Sequence, residues 1–283
     1  MKKNVLKIMC AVLALAMFAG VMPQTSVSAA AALNAPKALK AAMVQGAIGL
    51  MWDEVKGAKS YVVYRSVNDG KLKKVDTVDK NLYDEEETFA EGTKLTYCVT
   101  AKNKKGESEK SKTVKITFTA KDKYKKVRKT FAKYAKANGS ESPKGTYNLV
   151  SMDVTGATTI LGASYVEKQD SIGFTYIGGD DDCFYTVVLT YTPNTDPCVV
   201  YSAFDAESNM VGTAMVFINP SKMTKKTKFT KSDAFVLEDD SDGAVDHMAI
   251  INTGVQEILA YAKKVTGKID GVTMKKLGFK NYK

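Results

Sequence analysis

Histidine is nearly absent from this 283-residue chain, with His247 as its single occurrence. A two-histidine zinc motif or a pair of imidazoles trading a proton is therefore excluded within one chain, and any Ser-His-Asp or Cys-His device would have to use His247 itself. That residue stands in Asp246-His247-Met248 at the start of a predicted helix. Its simplest reading is a polar residue near a helix N-terminus. A phosphate-cradling glycine-rich loop and a dinucleotide fingerprint are both missing. Ser164 lies in Gly162-Ala163-Ser164-Tyr165-Val166, which lacks the second glycine of a nucleophile elbow. Cys183 with His247 has no orienting neighbour in the sequence. Carboxylate pairs for glycoside hydrolysis are available by chance among 31 acids, so their presence says little.

A long apolar run occurs once, at the beginning. Lys2 and Lys3 precede an apolar stretch from Val5 to Val21, Pro23 breaks it, and Val27-Ser28-Ala29 offers small residues before a cut. Residues 1–30 are thus predicted to be a secretory signal peptide. A retained anchor is the weaker reading, because Lys7 leaves only Ile8 to Met22, short of the ~20 residues of a span. The exported chain is expected to be extracellular, free or held non-covalently at a cell wall, with no membrane span. Cysteine is scarce too: past Cys10 there remain Cys98, Cys183 and Cys198. An oxidising compartment favours a disulfide. However, Phe184–Thr192 and Val199–Phe204 read as a hairpin about Pro193–Pro197, with Cys198 at the turn and Cys183 at the far end. A gap of ~25 Å would separate them against a limit of ~7 Å, so all three are predicted to be free thiols.

Between residues 33 and 119 short alternating runs recur at regular spacing, the pattern of a β-sandwich. Ile48, Leu50 and Trp52 share one face of a run, Tyr61–Arg65 follows a turn, and Leu95, Tyr97, Val99 and Ala101 alternate inward, leaving Cys98 outward. The pieces Leu50-x-Trp52-Asp53, Tyr61-x-Val63-Tyr64-Arg65 and Tyr97-x-Val99-x-Ala101, with the turn Asn103–Ser108 and a closing strand Thr113–Phe118, resemble a bacterial fibronectin type III domain. Leu95 stands where many members carry a corner tyrosine, which removes a hydrogen bond worth ~1 kcal/mol but leaves the core pattern intact. The resemblance implies an all-β immunoglobulin-like sandwich that serves as a spacer or binding module, not a catalyst. An Arg-Gly-Asp tripeptide is absent.

From residue 121 to 283 the period changes. Tyr124, Val127, Phe131, Tyr134 and Ala135 recur at three and four, predicting a helix over 122–137 that Asn138-Gly139 would stop. Strand-like runs follow at 146–154, 158–167, 171–177, 184–192, 199–204, 210–218 and 235–237, with links short enough for an antiparallel meander. A second helix is predicted over 244–265. The fold expected is an α+β domain whose antiparallel sheet is flanked by two helices, both on one sheet face. Runs such as Val187-Val188-Leu189 are apolar on both sides, so part of this sheet should be covered twice or meet a partner.

Basic residues dominate the balance, 41 Lys+Arg against 31 Asp+Glu. The first helix carries Lys121, Lys123, Lys125, Lys126, Arg128, Lys129, Lys133 and Lys136 on its outer side against Asp122. A second run, Lys222-x-x-Lys225-Lys226-x-Lys228-x-x-Lys231, reads as a loop that could act with it. Lys125, Lys126, Lys129, Lys133, Lys225 and Lys226 are the candidate polyanion contacts; solvated faces are the plainer alternative. Export points to anionic wall polymers, extracellular glycans or a protein as partners rather than nucleic acid. Glu238, Asp240 and Asp242 alternate before Gly243 like the first half of a calcium loop, but the twelfth position is Ala249 where a bidentate glutamate is needed. No other cofactor is implied. The sequence thus favours a secreted, non-enzymatic binding or adhesion protein of the bacterial surface; the alternative is a secreted hydrolase or hydrolase accessory with its acids in the second domain.

Overall fold

A computed structural model describes residues 33–151, 159–179, 183–241 and 245–282. The predicted signal peptide lies outside them. The chain divides into two compact units, with the boundary between Lys121 and Asp122.

The first unit is a pair of antiparallel sheets. Strands β1 (Lys40–Val44), β2 (Ala47–Met51) and β5 (Leu82–Asp84) form one; β4 (Lys73–Val78), β3 (Ser60–Val67), β6 (Lys94–Asn103) and β7 (Gly106–Glu107) form the other, with β8 (Val114–Thr117) also paired to β6. Alternation buries Ile48, Leu50, Trp52, Tyr61, Val63, Leu95, Tyr97, Val99 and Ala101 in one core. Trp52 meets Tyr61 edge to face at 5.4 Å. Cys98 corrects the expectation of an outward thiol. It does point away from that core, yet it is fully buried. The segment after β7 runs along β6, Ser111 N–H donating to Val99 O at 2.8 Å, and Lys110 reaches over the ring of Tyr64, the cross-strand partner of Cys98. A buried carboxylate braces this unit: Glu85 accepts from Arg65 Nη1 at 2.8 Å and from the Tyr97 hydroxyl at 2.9 Å.

The second unit opens with α1 (Lys125–Asn138) and then an eight-stranded antiparallel sheet: β9 (Ser140–Glu141), β10 (Thr146–Ser151), β11 (Ile160–Val166), β12 (Ser171–Gly179), β13 (Cys183–Tyr191), β14 (Cys198–Asp205), β15 (Met210–Phe217) and β16 (Val236–Asp239). Every strand pairs with its sequence neighbour, which is a simple meander. Helix α2 (His247–Thr266) closes the order. The pairing Thr190↔Cys198 and Cys183↔Asp205 puts the two cysteines at opposite ends of their hairpin, and Cys98, Cys183 and Cys198 are all free thiols.

Both helices lie on one sheet face, the one lined by Ile172, Phe174, Tyr176, Val187, Leu189, Tyr191, Val199 and Tyr201. Phe131 of α1 drives its edge onto Phe174 at 5.8 Å, and truncating such a ring costs ~3–5 kcal/mol. Close approach dictates two glycines. A Cβ on Gly254 would come within 2.6 Å of Val187, and one on Gly139 within 2.8 Å of the Asn148 carbonyl. Gly139 therefore ends α1 because the chain must pass β10 there, not because of a left-handed turn. The Asp246 side chain caps α2 by accepting from Ala249 N–H at 3.0 Å. Beyond α2, residues 267–282 fold back over the helices, anchored by buried Leu277 and Phe279 and by the Tyr191 hydroxyl donating to Leu277 O at 2.9 Å.

Candidate functional site

Two constellations in the second unit bear on function. The first surrounds the sole histidine. His247 stands at the start of α2, as its position suggests, and is buried there. Its Nδ1 lies 2.8 Å from the Tyr201 hydroxyl of β14, and its Nε2 lies 2.9 Å from Asp239 Oδ1 at the end of β16. Ser241 Oγ donates to the same Asp239 oxygen at 2.6 Å. That bond, with His247 next and then the Ser241 backbone N–H, holds the Asp239 carboxyl down at about 2. An ionised Asp239 accepts from Nε2–H, and a neutral ring in that tautomer accepts at Nδ1 from the Tyr201 hydroxyl, a phenol whose ionisation burial pushes far up.

A serine, a histidine and an aspartate are thus gathered, but not as a hydrolytic device. In such a triad the acid holds one ring nitrogen and the serine gives its proton to the other. Here Ser241 gives its proton to the acid, sits 3.4 Å from the already occupied Nε2, and the far nitrogen is taken by a fully buried phenol. The arrangement ties β14, β16 and the start of α2 together. Sequence reasoning missed it because residues 201, 239 and 247 are united only by the meander's register.

The second constellation is the basic surface. The structure corrects one of its expected members: Arg128 is 1% exposed and turned inward. It donates to both oxygens of Asp122 at 2.8 and 2.6 Å, to Asp170 Oδ2 at 3.0 Å and, through Nε, to Asp170 O at 2.7 Å. Burial would strip its charge, but the two carboxylates prevail and its affinity for the proton is raised. The clamp pins α1 to the loop before β12 and offsets one of the two acidic charges beside the helix.

Lys125, Lys126, Lys129 and Lys133 are all exposed, as are Lys225 and Lys226. At ~100° per residue, Lys126 and Lys133 share the crest of α1, and Lys125, Lys129 and Lys136 fall on one flank, where Lys136 pairs with Glu167 and overlies Tyr147. The tail packs on the opposite flank, at Thr130, and joins the crest to the second basic run. Gly271 lies against Thr130, one turn from Lys126, a Cβ on Gly278 would touch both Tyr124 and Pro220 at 3.0 Å, and Asn281 donates to Ser221 O at 2.7 Å. The loop then runs on along α2, where Asn252 both accepts from Phe229 N–H at 2.6 Å and donates to its carbonyl at 2.9 Å. The tail adds exposed Lys275, Lys276 and Lys280, and neither residues 271–282 nor 220–231 hold any acid.

The candidate calcium cluster fares differently. Glu238 and Asp239 project to opposite sides of β16, Asp240 is exposed, and Asp242 lies outside the described residues. Among the described residues no three His, Cys, Asp or Glu side chains gather to hold a metal. A cleft of about 330 Å³ in the first unit pairs one carboxylate, Asp69, with Lys94 and Lys115, which supplies no acid pair for hydrolysis. No described helix is long and apolar enough to cross a membrane.

No family model and no curated protein matches this chain. Solved structures do. A Fn3-like protein from Clostridium thermocellum is 28% identical, covering 30% of this chain and 92% of its own, with a TM-score of 0.28. The FN3tt structure is 25% identical over 32% of this chain and all of its own, with a TM-score of 0.29. A β-1,2-glucanase from Parabacteroides distasonis is 28% identical but matches over only 16% of its own length and 39% of this chain, TM-score 0.30. The solved structures that resemble this chain include several fibronectin type III domains, each covering about a third of this chain.

Proposed function

We propose that the protein is an exported bacterial binding protein whose second unit holds an anionic polymer of the cell wall or extracellular glycan layer. The first unit would serve as spacer or second contact, the general use of fibronectin type III modules. One observation carries the reading: the tail seats itself between α1 and the 220–231 loop, merging two basic runs that are far apart in sequence. Three acids lie against α1: Asp122 and Asp170 are committed to Arg128, and Glu167 to Lys136. The exposed lysines of α1, the loop and the tail outnumber the exposed acids among them, Asp233, Glu257 and Asp270, so the surface carries a net positive charge, which attracts polyanions at long range. The hydrolase alternative gains nothing from the His247 constellation, whose serine is wired to the acid.

The test is retention of the full chain on purified bacterial walls, with and without their phosphodiester polymers, across a salt series. Retention should fall steeply between 0.1 and 1 M salt, as the screening length shrinks from ~10 to ~3 Å, and should vanish on walls stripped of the polymer. Salt-resistant retention would replace this reading with a shaped carbohydrate site, and absence of retention would reject it. Hydrolysis of a polysaccharide or peptide panel, abolished by one Asp or Glu change, would establish the enzyme instead.

A further inference from the structure

The sheet of the second unit has two faces, and the helices take only one. On the other, register places Ser164 of β11, Thr175 and Ile177 of β12, Phe184, Thr186, Val188 and Thr190 of β13, and Val200, Ser202 and Phe204 of β14, with Met215 and Phe217 of β15 at the margin, where Met215 is already buried and Phe217 meets Phe235 edge to face at 5.1 Å. Phe184 and Phe204 stack across β13 and β14 at 4.8 Å, and Phe184 and Ile160 are each 40% exposed. In a chain where a quarter of the residues are charged, the described positions of this face between β10 and β16 hold one charge, Glu238 on the edge strand.

We propose that this face pairs with the same face of a second copy, making a two-fold dimer of stacked sheets. Three observations select that occupant. The first is charge. In a two-fold interface every residue near the axis meets its own copy, so a like charge there repels, and a self-pairing face must be neutral where a heterologous one need not be. The second is composition: apolar, bearing the stacked Phe184 and Phe204 and depleted of charge at its centre, as homodimer cores are. The third is size. Six strands at ~4.8 Å spacing and about seven residues at ~3.4 Å present ~700 Å² in projection, close to the ~800 Å² per partner of a stable interface.

A neutral glycan fits less well. Sugar recognition needs planar polar side chains aimed at the ligand, and the centre of the face offers none. Asn148, near one edge, already spends its amide on Ser142 O at 2.9 Å. Hydroxyls of Thr190 and Thr213 donate to the sheet's own carbonyls, Cys198 O at 3.3 Å and Tyr201 O at 3.1 Å. Stacked sheets ~10 Å apart would turn the two helical layers outward, so a dimer would present its basic surfaces on opposite sides and engage a polymer bivalently.

The experiment is sedimentation equilibrium of the full chain from ~1 to ~100 µM, a range that captures weak interfaces of this size. The expected mass is twice that of one exported chain, falling to one copy for Val188→Lys and for Val200→Lys, and unchanged for Lys126→Glu. If the lysine variants lose their fold by circular dichroism, the isosteric Val200→Thr serves, with a tenfold or greater rise in the dissociation constant. A chain that stays single at every concentration overturns the proposal, whether the face is then found bound to a soluble neutral glucan through Phe184 or shielded from labelling within one chain. A dimer that survives folded Val188→Lys and Val200→Lys also overturns it.

Discussion

The ring of His247 rests on the backbone of Gly212: a Cβ added there would overlap ring carbon Cε1 and come within 2.9 Å of both ring nitrogens. Strand β15 lacks a side chain at this point so that the imidazole can span from Tyr201 to Asp239. Gly212→Ala should cost ~1–3 kcal/mol by overpacking, read as a lower midpoint in urea. His247→Ala should cost ~2–4 kcal/mol, since it leaves a cavity and an unpartnered Tyr201 hydroxyl. The double variant should be less destabilised than the sum by at least ~1 kcal/mol, because the alanine methyl then enters vacated space. Strict additivity would show that the ring does not lie on Gly212.

The Asp239 carboxyl supplies an independent reading of the same contacts. Its largest restraint is the Ser241 hydroxyl, ahead of His247. Ser241→Ala should move the carboxyl's midpoint, followed by carboxyl carbon NMR, upward from about 2 toward the ordinary value near ~3.9. The sign for stability follows from a folded-state value below the unfolded one. The contribution is complete above pH ~4 and fades as pH falls toward 2, so the variant should lose stability at neutral pH and show a shallower acid dependence in that window. An unmoved midpoint would mean that the serine does not donate to Asp239.

Arg128 should be the costliest single truncation on α1. Removing it leaves Asp122 and Asp170 without their shared cation and opens a fully buried gap, so Arg128→Met is expected to lose ~3 kcal/mol or more in thermal or urea unfolding. Asp122 is held below the usual carboxylate range, first by its hydrogen bonds from Arg128. Its contribution is therefore present above pH ~4 and lost as pH falls further, and the variant's stability should vary less with pH below that point. A cost under ~1 kcal/mol would show a solvated arginine of the kind the sequence suggested.

The contrast between Arg128 and its lysine neighbours shows what the sequence could and could not reveal. Period and punctuation placed both helices and the seven strand runs of the second unit within a few residues, because alternation and three-four spacing are local signals. The inward residues of the first unit, Trp52, Leu95, Tyr97, Val99 and Ala101, were readable for the same reason. Strands β1, β4 and β5 were not read, being short or weakly alternating; β4, for instance, buries none of its residues. Arg128 was misread because its partner Asp170 lies 42 residues away, and Cys98 because the segment after β7 returns along β6 beside it. The Tyr201–His247–Asp239 chain and the joining of the two basic runs by the tail are products of register and packing. No short window contains them.

Geometry on α1 also sorts the lysines by their worth to a bound polymer. Lys126 and Lys133 flank Thr130, the side on which the tail and its own lysines pack, whereas Lys136 is paired with Glu167 and lies over Tyr147 and Tyr165. A cation already matched to a carboxylate adds little to the field felt by a distant anion. The double variant Lys126→Glu/Lys133→Glu should therefore weaken wall retention at least tenfold at 0.1 M salt and flatten its salt dependence. Lys136→Glu should change retention much less, its main effect being local repulsion with Glu167. The same pair of changes in the 220–231 loop, Lys225→Glu/Lys226→Glu, should act in the same direction as the Lys126/Lys133 pair, since the tail makes the two runs one surface. Isotherms on walls at three salt concentrations separate these cases. Equal losses from Lys136→Glu and Lys126→Glu/Lys133→Glu would show that net charge, rather than this surface, governs binding.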